Sequence, residues 1–180
     1  MFMQLFLLGL LYSQGIEPMV IFQFSHDSSL DNWYIIDDVV MGGRSNGAMQ
    51  LNDEGYGEFF GHVSLKNNGG FSSVRFRMGN ESANIEGYKV CKIKVKGDGK
   101  SYQFRTKRSS QQRYSYIYNF ETTGEWETVE IPLNEMFPSF RGYRLDRPNY
   151  TADILGEIAF LISNKKDETF KLQIESIVLE

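Results

Sequence analysis

The sequence has few of the residues from which metal sites and nucleophilic active sites are built. Its 180 residues include one cysteine and two histidines. No internal disulfide is possible, and Cys91, in a run typical of a strand, is expected to be a buried core residue rather than a nucleophile. His26 and His62 have no second histidine or cysteine at ligand spacing, and the oxygen donors of Ser25–Asn32 lack the spacing of a calcium loop. No metal and no cofactor is therefore predicted.

Positive charge and long apolar runs are also scarce. The net charge of −4 argues against nucleic-acid binding, which needs a basic surface. The run Leu5–Tyr12 has the length of a signal-peptide core but is too short to span a bilayer, and no Lys or Arg precedes it. Residues 1–18 are predicted to be a leader or a tail, without a transmembrane span. The compartment stays open between cytoplasmic and exported, either periplasmic or secreted.

Helical periodicity is rare, whereas aromatic residues, which suit pleated sheets, make up 14% of the chain. Nine or ten short runs alternate apolar and polar residues between Gly, Asn and Asp turns. We predict an all-β fold, an antiparallel two-sheet β-sandwich or jelly roll, as a single domain over residues 19–180. The clearest predicted elements are strands at Met19–Phe24, Tyr56–Leu65, Phe71–Met78, Tyr114–Thr122, Trp126–Leu133, Ile158–Ser163 and Phe170–Leu179, a hairpin at Tyr88–Lys107, and single helical turns at Leu133–Phe137 and Asp153–Gly156.

The segment Asp37–Gly47, DDVVMGGRSNG, has the glycines of a loop but not the spacing of a phosphate-binding loop. Its two aspartates, Asp37 and Asp38, are a poor acid–base pair, because neighbours on a strand point to opposite faces. We instead expect a structural corner in which Arg44 pairs with one aspartate. A second corner is expected at NNGGF, where Phe71 would anchor in the core. The predicted corner residues are Asp37, Asp38, Gly42, Gly43, Asn68, Gly69 and Gly70.

Two groups of polar residues are candidates for contact with a ligand or a partner. Arg141 and Arg144 lie in an aromatic loop, where guanidinium groups either grip anions and sugar faces or hold the loop to the sandwich. Gln103, Arg105 and Asn119 alternate with apolar residues and would line one sheet face among tyrosines, as a sugar site or as a plain solvated face. The candidate binding residues are Arg44, Gln103, Arg105, Asn119, Arg141 and Arg144.

Four segments together resemble one family. DDVVMGGRSNG, GEFFGHVSLKNNGGFSSVRFR, FPSFRGYRL and GEIAFLISNKKDETFKLQIESIVL are similar to the NADH:ubiquinone oxidoreductase complex I intermediate-associated protein 30 family, from about Phe22 to Leu179. The resemblance implies a galactose-binding-like β-sandwich. It also implies a chaperone-like assembly factor for respiratory complex I rather than an enzyme. Without an Arg/Ser-rich transit segment, the chain resembles a bacterial-type member.

Three functional hypotheses remain open from the sequence. The first is a non-catalytic sandwich that binds a protein partner, an assembly intermediate. The second is a carbohydrate-binding module, exported if the leader is cleaved, with a glycan as its partner. The third is a hydrolase, which would require Asp37 or Asp38 in a cleft with a second carboxylate.

Overall fold

A computed structural model describes residues 16–79 and 82–180, so most of the predicted leader lies outside the described residues. Within them the fold is all-β, with three short 3-10 turns and no α-helix, which confirms the predicted fold class. No helix there is long and apolar enough to cross a membrane. The strands are β1 (Met19–Gln23), β2 (Trp33–Asp37), β3 (Asn46–Leu51), β4 (Gly57–Val63), β5 (Ser72–Arg77), β6 (Ala83–Asn84), β7 (Val90–Lys96), β8 (Ser101–Lys107), β9 (Ser115–Glu121), β10 (Trp126–Pro132), β11 (Phe137–Phe140), β12 (Tyr143–Arg144), β13 (Ile154–Leu155), β14 (Glu157–Ile162) and β15 (Glu168–Leu179).

The strands form two large antiparallel sheets. Sheet I has the order β10-β7-β15-β4-β3, and β1 also pairs with β15. Sheet II has the order β12-β11-β9-β8-β14-β5-β2, and β6 and β13 form a separate two-stranded ribbon. The long β15 joins β4 through its first half and β1 through its second half, with a register shift between Ile174 and Ser176. Such a bulge bends the strand, so β15 pairs with β4 before the bend and with β1 after it.

The core lies between the two sheets and follows the alternation of the sequence. On β7, Ile93 and Val95 are fully buried, and Cys91 is a buried free thiol, as expected. Burial raises the pKa of the Cys91 thiol well above its ordinary value. On sheet II the rings of Phe104 and Phe160 meet edge to face, with centroids 5.5 Å apart. Each fully buried side chain of this size stabilises the fold by about 1.5–3 kcal/mol.

The predicted hairpin at Tyr88–Lys107 is wrong. Strand β7 belongs to sheet I and β8 to sheet II, so the intervening turn connects the two sheets. Thr122 holds this turn, because its Oγ1 accepts hydrogen bonds from the amides of Gly99 and Lys100, each at 3.1 Å. Alternation indicates two strands with one buried face each. It does not tell whether those strands lie side by side or face each other.

Two other local predictions have different outcomes. The segment Leu133–Glu135 is a 3-10 turn, in agreement with the expected single helical turn. The turn expected at Asp153–Gly156 is instead strand β13, in which Ile154 pairs with Asn84. Hydrogen bonds to the distant β6 override the local preference there.

Candidate functional site

Two loops meet at the buried carboxylate of Asp38, and we call this arrangement the Asp38 corner. Asp38 opens the 3-10 turn Asp38–Met41 directly after β2 and has no solvent exposure. Its Oδ1 accepts a hydrogen bond from the amide of Ser45 at 2.9 Å, and its Oδ2 accepts one from the Ser45 hydroxyl. The same Oδ2 accepts from the amides of Gly70 at 2.6 Å and Phe71 at 3.2 Å. One side chain therefore joins DDVVMGGRS to NNGGF.

The hydrogen bonds at this corner keep Asp38 ionised. Burial alone raises the pKa of a carboxyl group, but the donors on Ser45, Gly70 and Phe71 outweigh burial and hold the pKa of Asp38 below its usual range. Hydrogen bonds to a charged group contribute about 1.5–3 kcal/mol each. Since both oxygens are engaged by fixed donors, the carboxylate is suited to tying loops together and not to exchanging protons with a substrate.

Glycines make room for the buried carboxylate. A Cβ on Gly43 would overlap the carboxylate of Asp38, and a Cβ on Gly69 would lie 2.6 Å from Asp38 Oδ2. Gly42 has φ +90° and Asn68 has φ +58°, which places both in the left-handed region. The spacing of small residues in both motifs is thus explained by one buried ion and two tight turns.

Asp37 has a separate set of partners. Its carboxylate accepts from the amide of Gly47 at 2.8 Å and from the hydroxyl of Ser72 at 2.6 Å. Arg44 is exposed and forms no ion pair with any described residue, so the expected Arg44–aspartate pair is wrong. Neighbouring amides and hydroxyls occupy both aspartates instead. The structure also forms no acid dyad from Asp37 and Asp38.

Four apolar side chains project from the loops of the Asp38 corner, and we call them the apolar ridge. Their exposed fractions are 58% for Val39, 73% for Val40, 56% for Met41 and 45% for Leu65. Eight large hydrophobic side chains are exposed in the described part of the chain, so this corner supplies half of them. Clusters of exposed apolar residues on a folded protein mark contact surfaces more often than isolated ones do.

The second polar surface is the side of sheet II that faces away from sheet I, which we call the outer face. Gln103, Arg105 and Asn119 all lie there, and Gln103 is directly opposite Asn119 in the β8–β9 register. The tyrosines expected beside them do not, because Tyr102 and Tyr116 point into the core and are 1% and 4% exposed. Strand alternation places the tyrosines and the polar residues on opposite sides of β8 and β9.

A single buried carboxylate organises the cations of the outer face. Glu157 Oε1 is 3.0 Å from Lys107 Nζ and 3.3 Å from Arg75 Nη1. Glu157 Oε2 accepts from the Tyr34 hydroxyl at 2.5 Å and is 4.0 Å from Arg77 Nε. Arg75 and Lys107 are mostly buried, with side chains 20% and 10% exposed. Burial lowers the pKa of Lys107, and its contact with Glu157 opposes that effect.

Arg105 lies beside this group without a carboxylate partner among the described residues. Its Nε and Nη2 both donate to Gln103 Oε1, at 3.0 and 2.5 Å. Burial, together with the positive charge of Arg75, lowers the pKa of Arg105 to about 10. The sequence reasoning identified Arg105 but missed Arg75, Arg77 and Glu157. A signal was present for the first two, since alternation in FSSVRFRM puts both arginines on one face.

The remaining arginines of the prediction are distributed more widely. The guanidinium carbon of Arg144 lies 4.7 Å from the ring centroid of Phe137, which is opposite Ile117 at the β11 end of the outer face. Arg141 has φ +51° in the turn between β11 and β12 and lies 5.3 Å from the ring centroid of Phe140. Arg44 is in the β2–β3 loop. The structure therefore groups Gln103, Arg105 and Asn119, with Arg144 at the edge.

No group of three or more His, Cys, Asp or Glu side chains within residues 16–79 and 82–180 could hold a metal ion. The fold is an antiparallel two-sheet β-sandwich that resembles carbohydrate-binding modules. A family 11 carbohydrate-binding module of the cellulase Lic26A-Cel5E from Clostridium thermocellum superposes with a TM-score of 0.67 and 13% identity, over 91% of this chain and 94% of the module. A mutant of the family 29 module CBM29-2 superposes with a TM-score of 0.56 and 9% identity, over 92% of each chain. These likenesses concern the fold.

Sequence comparison assigns the family. Residues 22–174 match Complex I intermediate-associated protein 30 (CIA30), and the chain belongs to this family. The mitochondrial complex I intermediate-associated protein 30 of Drosophila melanogaster is 27% identical over 91% of this chain and 63% of its own length. The Mus musculus protein of the same name is 24% identical over 89% of this chain and 56% of its own length. The chain thus spans about three-fifths of these relatives, and the resemblance noted from the motifs is confirmed.

Proposed function

We propose that this chain is a non-catalytic binding protein that holds a protein partner, an assembly intermediate of respiratory complex I. The names of its mitochondrial relatives supply the partner class. The observation that carries the proposal is the apolar ridge, Val39, Val40, Met41 and Leu65, exposed on loops that the family's motifs build.

The Asp38 corner suits the ridge to binding. Ordering a flexible loop reduces affinity, and loops tied to a buried carboxylate have already lost that freedom. Fully burying an apolar side chain of this size contributes about 1.5–3 kcal/mol. Four such side chains on one corner give a compact apolar surface that a partner can cover. The corner residues then act by holding the ridge in place.

The ridge can be tested without disturbing the fold. We expect the double variant Val40→Asp, Met41→Asp to fold normally, because both side chains are already exposed, and to fail to restore complex I assembly in cells that lack the chain. Native gel electrophoresis of the respiratory complexes is the measurement. Val20→Asp is the matched control, since Val20 is 60% exposed on β1 of sheet I. Full rescue by the double variant would reject the proposal.

A second candidate function is glycan binding at the outer face of sheet II. The supporting observation is the row Gln103–Asn119 beside Arg105 and close to the Phe137 ring, a combination of amide groups and a flat apolar surface. A glycan array with the purified chain and its Asn119→Ala variant is the test. We expect binding that the variant weakens, and an array without binding above background would remove this candidate.

A further inference from the structure

We propose that the outer face of sheet II binds an oxyanion, a carboxylate or phosphate group, between Arg75 and Arg105 and above Ala159. The site lies on a different surface from the apolar ridge and does not depend on the protein-partner proposal. It narrows the glycan candidate to acidic ligands.

Strand register builds the site. Ala159 of β14 is directly opposite Arg75 of β5 on one side and Arg105 of β8 on the other. Residues directly opposite each other share a face, with Cα atoms about 4.5–5.5 Å apart. The two arginine residues therefore flank a residue whose side chain is a single methyl group. Ala159 is only 5% exposed although it faces away from the core, so its long neighbours cover it.

The charges around this position do not balance. Three cationic side chains, Arg75, Arg77 and Lys107, approach one carboxylate, Glu157. With Arg105 beside them, four positive charges face one negative charge, an excess of three. The next acid along β9 on the same face, Glu121, lies four residues beyond Ile117, about 13 Å along the strand, and bonds Ser101. A cluster of partly buried cations with one shared carboxylate attracts a further anion.

Unused donors point to the same ligand class. Arg75 Nε is buried and has no hydrogen-bond partner in the described structure. Arg105 uses Nε and Nη2 on the neutral oxygen of Gln103, and its Nη1 has no partner among the described residues. Buried donors are normally satisfied, so an orphaned one indicates a missing acceptor. Planar guanidinium groups bind carboxylate and phosphate oxygens in paired, charge-assisted hydrogen bonds.

The test is a titration of the full chain with three probes, namely inorganic phosphate, tetragalacturonate and neutral cellotetraose. Arginine Nε–Hε resonances are followed by NMR. We expect saturable shifts for Arg75 and Arg105 with at least one of the two anions, and no comparable shifts with cellotetraose. Arg105→Gln should weaken anion binding about tenfold or more, the loss expected for one charged hydrogen bond. Lys94→Gln, which removes one charge from the outer face of sheet I, should change it less than twofold.

A second variant keeps the test decisive if Arg105→Gln does not fold. Ala159→Asp places an internal carboxylate between Arg75 and Arg105, so it should abolish anion binding and raise the melting temperature.

Binding of phosphate alone would assign a phosphate ligand, and binding of tetragalacturonate alone a carboxylate ligand. Absence of saturable shifts with both anions, or an equal loss in Lys94→Gln, would overturn the proposal. If cellotetraose bound and neither anion did, the glycan candidate would survive and the anion site would not.

Discussion

Replacing Asp38 by asparagine tests whether one buried ion holds the two family motifs together. Asparagine keeps the shape of the side chain but loses the charge and one acceptor. Asp38 Oδ2 receives three hydrogen bonds, whereas Oδ1 receives one from the amide of Ser45. The least unfavourable rotamer of Asp38→Asn therefore points its NH2 group at the Ser45 N–H, and two donors face each other.

The magnitude follows from these contacts. Three hydrogen bonds lose their charge assistance, and a buried donor pair is left unsatisfied, at about 1–3 kcal/mol for the unsatisfied group alone. We expect the free energy of unfolding, measured by urea denaturation at pH 7, to fall by about 3–5 kcal/mol in total. Asp167→Asn is the matched control, because Asp167 forms an exposed pair with His62. Its loss should be about 0–1 kcal/mol.

The pH dependence identifies the charge as the cause. The pKa of Asp38 is lower in the folded state than the ordinary value of about 3.9, so the unfolded chain binds more protons in acid. The stabilisation is present above that ordinary pKa and is lost as the pH falls through the folded pKa. The difference between wild type and Asp38→Asn should therefore shrink below about pH 4. Hydrogen exchange at the amides of Ser45, Gly70 and Phe71 should accelerate together. A loss below about 1 kcal/mol, or a difference constant from about pH 3 to 7, would refute the reasoning.

Three other experiments test the packing at Gly69, the ion pairs of Glu157 and the burial of Cys91. Gly69→Ala should lower the melting temperature, because φ at Gly69 is −70° and suits alanine but a Cβ there would lie 2.6 Å from Asp38 Oδ2. Gly124→Ala measures the backbone cost alone, since Gly124 has open space around it and φ +90°; a smaller loss at Gly69 than at Gly124 would contradict the steric explanation. Glu157→Gln should cost about 3–5 kcal/mol in urea denaturation, since it leaves buried cations without their carboxylate, and a neutral effect would contradict that account. Cys91 should resist thiol reagents until denaturant is added, because it is buried and its pKa is raised, and rapid labelling of the folded chain would contradict its core position.

Much of the strand content is visible in the sequence, because alternation is a local property. The segment Ser101–Lys107 places Tyr102 and Phe104 on one side and Gln103 and Arg105 on the other, as observed. Strands β2 and β3 were missed, since neither WYIID nor NGAMQL alternates clearly between apolar and polar residues. The position of β2 depends on pairing with β5, which is distant in the chain, whereas β3 pairs with β4, the next strand along.

The candidate sites divide along the same line. The glycines and aspartates of the two motifs stand out in the sequence, and so does Arg105. That Asp38 would receive the amide of Gly70, 32 residues later, follows from loop packing and not from any local pattern. The pairing of Arg44 with an aspartate was a reasonable local expectation. Asp38 instead accepts hydrogen bonds from the amides of Gly70 and Phe71 in a second loop.

By itself, the sequence determined the faces of most strands and the family of the chain, because both are written in the order of neighbouring residues. The tertiary structure alone decided which strands became neighbours, and hence that Arg75 and Arg105 flank Ala159 on one sheet. The physical reason is that alternation is set by the backbone of each strand, whereas register and loop contacts are selected by close packing between segments far apart in the chain.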